Sequence, residues 1–378
     1  MRIGIDCRYL YDYFTGVGRY THNLANRISE FDGENEYVLF KNPAVDRIVD
    51  KPNFFEVPVK SRPVSFGTWL NLSLIVQRHR LDIFHSLFPV APLFPACKTV
   101  VTVHDLQAVT DPHFSSNRNV VLQKGAEYFY RMSYPLSMNR ADKIIAVSGA
   151  TKRDIVEMYG IDESKIVVVH EAIGDRFYQR PDTRRLDEVR LKYKLPEKFM
   201  LYLGNTRPHK NVKGLLESFA RFVFLKEFPT APVLVIAGVK ERFFPQLLPL
   251  LEQLRIEDRV IFLDYIPDED LPCLLAMARV FAFLTTKEGF GLPPLEAMAS
   301  GVPVIASTDA ALPEVLGEAA VLCNPHDPRE CAQGMLRLWE DEQLRSSLIQ
   351  KGLERPKFFS WEKAARQTLA VYKELGKR

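Results

Sequence analysis

The five cysteines of this chain, Cys7, Cys97, Cys273, Cys323 and Cys331, never fall into a CxxC or Cys/His ligand spacing. Neither a disulfide framework nor a zinc site is therefore expected, and a reducing compartment fits best. No run of about 18 apolar residues occurs, so a spanning helix is not expected and the chain should be soluble or peripheral. It opens on Met1-Arg2-Ile3-Gly4-Ile5-Asp6, which reads as a buried strand and lacks the apolar core of a signal peptide, so no export is expected. The expected location is the cytoplasm, including peripheral attachment at the inner membrane face. Lys and Arg number 50 against 47 Asp and Glu. That net charge of +3 is too mild, and too evenly spread, for a nucleic-acid binder. Low-complexity tracts and short fixed repeats are missing. So are the G-x-S-x-G elbow and the H-E-x-x-H zinc motif. The acidic run Asp268-Glu269-Asp270 precedes an apolar helix, where an N-cap explains it.

What remains is a globular chain of 378 residues. That is too long for one ordinary core and suits two domains of roughly 170 to 200 residues with a cleft between them. Short β-branched runs at Ile3–Ile5, Tyr37–Phe40, Ile83–His85, Thr99–Val103, Ile144–Val147 and Ile166–Val169 alternate with helical-period stretches. This is the pattern of a mostly parallel sheet. The rhythm restarts with Met200–Leu203, Val233–Ala237, Val260–Leu263, Val280–Leu284, Val302–Ala306 and Ala320–Leu322. Between the two sets lies a linker-like stretch, Glu171–Glu197, with a charged helical segment at Arg184–Leu191. The boundary is placed near Gly174. Ser360 should cap a closing amphipathic helix over Glu362–Leu375.

The strongest local signal runs from Glu288 to Val304, EGFGLPPLEAMASGVPV, read as glycine turn, helix, glycine stop and strand. Gly289 and Gly291 let backbone N–H groups approach a ligand, and the following helix directs its positive end at an anion such as a diphosphate. Glu288 and Glu296, either side of that turn, could grip two sets of hydroxyls, although the dipole alone also favours acids there. A second cluster, Gly204-Asn205-Thr206-Arg207-Pro208-His209-Lys210-Asn211-Val212-Lys213, follows the first strand of the second unit and leads into a helix over Gly214–Phe224. Its cations stand at a sheet's carboxyl edge, where open α/β folds bind ligands; the competing reading is a solvated basic loop. In the first unit, Thr15-Gly16-Val17-Gly18-Arg19-Tyr20 should open a helix but lacks the third glycine of a dinucleotide fingerprint. Asp6 and Arg8 beside it read as an internal ion pair. His104-Asp105 ends the strand Thr99–Val103 and should face the cleft.

Taken together, these segments resemble the retaining GT-B glycosyltransferases of family 4, mannosyltransferases among them. The likeness spans nearly the whole chain: Gly16–Tyr20, Val103–Leu106, Ala146–Ser148, Val169–Gly174, Gly204–Asn211, Glu288–Gly301 and Phe359–Trp361. The resemblance implies an α/β GT-B architecture, two Rossmann-like domains facing each other across a cleft. The N-terminal acceptor-side domain would cover 1–173 plus a returning 359–378, and the nucleotide-sugar domain 174–358. It further implies that Glu288 holds donor-sugar hydroxyls together with the backbone of Phe290 and Gly291, and that Glu296 takes the ribose. Leu292 would offer its amide to phosphate. Lys210 matches the family's basic residue; Arg207 or its substitute Lys213 matches the family's arginine. His104 would lie near the transferred sugar, and Gly16 or Gly18 near the diphosphate. Where the family commonly has Pro-Asn-Gly-Ile-Asp, this chain has His170-Glu171-Ala172-Ile173-Gly174, so the interdomain hinge is expected to differ.

The expected activity is transfer of a hexose to a glycan, glycolipid or other hydroxyl acceptor. Mannose from GDP-mannose is the first expectation, because Gly204–Asn211 resembles the family's mannosyltransferases. Arg207, Lys210 and the Gly291-Leu292 amides would stabilise the leaving diphosphate without metal or other cofactor. Acceptor selection would fall to loops such as Phe66–Trp69 and Asp111–Tyr134. A nucleotide-sugar epimerase or phosphorylase on the same plan, and a non-catalytic nucleotide-sugar-binding protein, are the alternatives.

Overall fold

The computed structural model describes residues 1–11, 16–111, 120–238 and 244–377. Thr15 and residues 112–119 of the expected Asp111–Tyr134 loop lie outside them, and from Val120 that segment is not a loop but the start of the helix Val120–Arg140. The chain divides into two compact units, Met1–Glu171 with Ser360–Arg378, and Ala172–Phe359.

Among the described residues, unit 1 holds a seven-stranded sheet. Its strands are β1 (Arg2–Cys7), β2 (Glu36–Lys41), β3 (Phe54–Pro58), β4 (Ile83–Ser86), β5 (Lys98–Val103), β6 (Lys143–Ala146) and β7 (Ile166–Val168). All pair in parallel, in the order β3-β2-β1-β4-β5-β6-β7. Parallel strands covered on both faces must be apolar on both, which is why these segments read as continuous hydrophobic runs. The exception is β3, an edge strand whose Glu56 pairs with Lys41 at 2.8 Å. The closing helix Trp361–Gly376 is capped by the Ser360 hydroxyl, which accepts from the Lys363 amide. It packs on the helix Gly16–Phe31, so the last residues of the chain complete the first unit.

Unit 2 holds β8 (Phe199–Leu203), β9 (Val233–Ala237), β10 (Val260–Leu263), β11 (Val280–Phe283), β12 (Val304–Ser307) and β13 (Ala320–Cys323). They too are parallel, in the order β10-β9-β8-β11-β12-β13. In both sheets the strand order reverses beside the first strand, between β1 and β4 and between β8 and β11. Such a switch point parts the loops at the strands' carboxyl ends and leaves a crevice for ligands.

Two expectations need correction. From Ala172 on, the stretch read as linker-like belongs to unit 2: its charged helical segment, as expected, is a helix, Thr183–Tyr193, but it packs on the helix Leu271–Met277. Asp270 occupies the cap position of the latter but makes no side-chain cap. Its fully buried carboxylate instead accepts from Arg185 at 2.5 Å, Lys192 at 2.7 Å and the Tyr193 hydroxyl at 2.6 Å. Three donors on the packed helix outcompete one local backbone amide.

Candidate functional site

The loop after β8 is built around backbone that only certain residues accept. Gly204 has φ +156°, and a Cβ there would meet the Tyr202 hydroxyl at 2.9 Å. That hydroxyl donates to the Asn205 carbonyl at 2.7 Å. Pro208 opens a 3-10 turn over Pro208–Lys210, and Asn211 ends it in the left-handed region at φ +52°. Asparagine tolerates that conformation and caps the next helix: its Oδ1 accepts from Gly214 N at 3.2 Å at the start of Val212–Phe224. Its Nδ2 donates to the carbonyls of Leu284 at 3.0 Å and Pro325 at 3.1 Å. The His209 carbonyl accepts from the Thr285 hydroxyl at 2.8 Å and the Thr286 amide at 2.9 Å. The loops after β8 and β11 are thus latched together across the switch point.

The latch brings Lys210 to Glu288. The ammonium donates to Oε1 in a largely buried ion pair, and it lies 5.4 Å from the centroid of the Phe283 ring. Beyond Glu288, Gly291 takes φ +101° as the cap of the helix Leu292–Ala299, with prolines in its first turn. Pro293 and Pro294 lack N–H groups, so the free donors at this helix start are few and fixed in place. Glu296 is buried on the same helix at 4% exposure, and Phe290 packs edge-on to Phe359 with centroids 5.3 Å apart. Arg207 is half-buried in the first loop. Next to it the Thr206 hydroxyl is buried with no hydrogen-bond partner in the chain, a costly arrangement unless a ligand or solvent serves it.

Lys213 is not gathered into this group. It is 72% exposed and pairs along its own helix with Glu217 at 3.8 Å.

In unit 1, His104 stands just past β5, as read from the sequence. Its Nε2 donates to the Leu87 carbonyl at 3.1 Å, and its Nδ1 lies 2.6 Å from Glu171 Oε1. The Tyr20 ring meets it edge-on at 4.7 Å. Burial lowers the imidazole's proton affinity, but the Glu171 hydrogen bond and charge more than offset it, so the pKa lies above the ordinary 6.5. His85 on β4 behaves oppositely: burial first, then the charge of His104, pulls it down to about 3. Neutral His85 bridges Tyr372 at 2.6 Å and Thr102 at 2.8 Å, tying the closing helix to the sheet. Asp6 and Arg8 form the expected internal pair, with the guanidinium clasping both carboxylate oxygens at 2.8 and 2.7 Å. Gly16 opens the helix Gly16–Phe31, and a Cβ there would meet nothing within 4 Å; Gly18 is buried.

Three participants escaped the sequence reading. Asn211 carries a visible signal, an Asn opening a helical pattern. Thr206 and Glu171 carry none, because burial and pairing decide their importance.

The chain matches the family model described as Glycosyl transferases group 1 over residues 184–355 and that of Glycosyltransferase Family 4 over residues 14–175. It is 29% identical over 378 residues to the O-antigen chain mannosyltransferase B of Escherichia coli, covering 96% of each chain. Among solved structures, sucrose-phosphate synthase from Thermosynechococcus elongatus superposes with a TM-score of 0.76 at 19% identity, over 100% of this chain and 99% of that one. Anabaena HepE in complex with UDP-glucose gives 0.74 at 17% identity, over 99% and 100%. With two parallel Rossmann-like sheets and a GT-B architecture, the chain belongs to the group 1, family 4 glycosyltransferases.

Proposed function

We propose that this chain is a retaining hexosyltransferase that moves mannose from GDP-mannose to a hydroxyl of a glycan or lipid-linked glycan, without a metal. The observation that carries the reading is the meeting of Lys210 and Glu288 at the switch point of unit 2, beside the Gly291 cap. Lys210, Arg207 and the Gly291-Leu292 amides would offset the charge that grows as the bond from C1 to the diphosphate oxygen breaks. Glu288 would hold sugar hydroxyls with the backbone of Phe290 and Gly291, and Glu296 the ribose hydroxyls. Gly16 and Gly18 are proposed to lie near the diphosphate, and His104 near the sugar. The bonding pair leaves with the diphosphate. The acceptor oxygen then attacks C1 from the same face and passes its proton to a donor phosphate oxygen, so the configuration is kept. The likeness to an Escherichia coli mannosyltransferase supports mannose as the sugar.

Thermal-shift screening of GDP-mannose against UDP- and ADP-sugars tests the donor, since a ligand bound only by the native state raises the melting temperature. Turnover with GDP-mannose should release GDP only when an acceptor is present, survive EDTA, and give an α-linked product by NMR. Sugar conversion without acceptor would identify an epimerase; binding without turnover across a broad acceptor panel would identify a scaffold.

A cytoplasmic location with peripheral contact at the membrane belongs to the same proposal. No helix among the described residues is long and apolar enough to cross a bilayer. Phe66, Leu70 and Leu74 recur at four-residue spacing and are each more than half exposed, with Arg78 exposed one turn on. Co-sedimentation with vesicles containing anionic lipid, and its loss in a triple serine variant of these three, is the expected result.

A further inference from the structure

Both ring nitrogens of His104 are engaged inside unit 1, and their partners are not equivalent. The Leu87 carbonyl can only accept, so Nε2 carries a proton. A second proton must then lie between Nδ1 and the Glu171 oxygen 2.6 Å away, because two lone pairs at that distance repel. The contact to Glu171 is the short, charge-assisted one; that to Leu87, at 3.1 Å, is an ordinary hydrogen bond and the easier to exchange. We infer that Glu171 is a positioning residue for His104: its carboxylate anchors Nδ1, so that the ring presents Nε2–H as a hydrogen-bond donor, with the Leu87 carbonyl as resting acceptor and a hydroxyl of the transferred sugar as working acceptor. This rests on the proposed role of His104 at the sugar.

The surroundings support the assignment. Glu171 is 7% exposed and is the last residue of unit 1 before the chain enters unit 2, so the anchor comes from the connecting segment where this sequence departs from the family pattern. The Thr151 hydroxyl donates to the His104 carbonyl at 3.3 Å, which holds the backbone. Of the titratable groups that bear on the ring, Asp105 adds negative charge, His85 stays neutral, and Tyr20 presents a ring edge. Glu171 is the carboxylate in contact with the imidazole. It makes His104 a cationic donor rather than a base, since a base would need a bare nitrogen facing the substrate.

Nitrogen-15 histidine labelling tests this directly. In the wild-type chain, with the His104 signals identified by their loss in His104→Gln, both ring nitrogens should be protonated below the midpoint of the titration. The midpoint should exceed the ordinary 6.5, and above it Nε2 should lose its proton while Nδ1, facing the carboxylate, keeps its own. In Glu171→Gln the midpoint should fall by about one unit or more, the effect of losing an opposite charge in contact; Glu171→Asp should restore part of it. Melting curves of both variants check that they fold. The alkaline limb of kcat for GDP release from GDP-mannose should move with the NMR midpoint, while KM changes less. An unchanged midpoint in Glu171→Gln, or a neutral form protonated on Nε2 with Nδ1 bare, overturns the inference. Normal turnover in His104→Gln would instead overturn the role of His104 at the sugar, and with it the working acceptor assigned here.

Discussion

Lys210 donates to Glu288 although 78 residues separate them in the chain. The contact exists because β8 and β11 are neighbours in the sheet, with Met200 opposite Val280 and Leu201 opposite Phe281, so the loops that follow them emerge side by side. Asn211 and the His209 carbonyl then hold those loops in register. A cation paired with a carboxylate in this way is held in place before a ligand arrives, which reduces the ordering that binding or catalysis would require.

Replacing Lys210 by Ala should lower kcat by about 10²-fold, the usual effect of removing one preorganised charge partner from a transition state. Circular dichroism should be unchanged, and a double cycle with Glu288→Ala should show strong coupling. Turnover within a factor of two of wild type would remove Lys210 from the mechanism.

Glu296→Ala should weaken donor binding by about 10- to 100-fold, as expected for loss of charged hydrogen bonds to a ligand. Titration calorimetry with GDP and with GDP-mannose should show similar losses, because the proposed contact is to the ribose. An unaltered dissociation constant would contradict that role.

Gly291→Ala should damage both stability and donor binding. Its φ of +101° disfavours any Cβ, and the new atom would sit 2.5 Å from Leu312 Cδ2 in a fully buried side chain. A cost of about 1 to 3 kcal/mol follows from holding a non-glycine residue there. A melting temperature equal to wild type would show that the turn relaxes without penalty.

Asp270→Asn should destabilise unit 2 by about 1 to 3 kcal/mol, since a buried carboxylate that accepts from three donors is replaced by an amide unable to satisfy all of them. Burial alone would raise the pKa of Asp270, but Lys192, Tyr193 and Arg185 together hold it below the ordinary 3.8. The stabilisation is therefore complete above the unfolded value and is lost as pH falls through the lower folded one. Urea melts of wild type and variant should differ at pH 6 and converge below pH 3.8. A constant difference down to the lowest pH at which the chain folds would show that charge is not the cause.

Most strands were legible because a parallel sheet buried on both faces demands uninterrupted apolar runs, as in Ile144–Val147 or Val233–Ala237. The strand β3 was not, because an edge strand need only be partly apolar, and Phe54–Pro58 carries Glu56 among its members. Asp270 was misread for a related reason: its position fits a helix cap, and only the packed helix Thr183–Tyr193 supplies stronger donors. Glu171 was seen as a departure from the family pattern, yet its partner His104 lies 67 residues earlier, and no local signal joins them.

The amino-acid sequence by itself determined the alternation of strand and helix, the glycine turns at Gly204 and Gly291, and the identity of Lys210, Glu288 and Glu296 as candidates. These follow from backbone sterics and hydrophobic periodicity, which act over a few residues. Only the tertiary structure decided that Lys210 meets Glu288 while Lys213 pairs along its own helix, that Asn211 latches two loops, and that Glu171 anchors His104. Those outcomes depend on strand order and burial, which bring distant residues to hydrogen-bonding distance and change what each charge is worth.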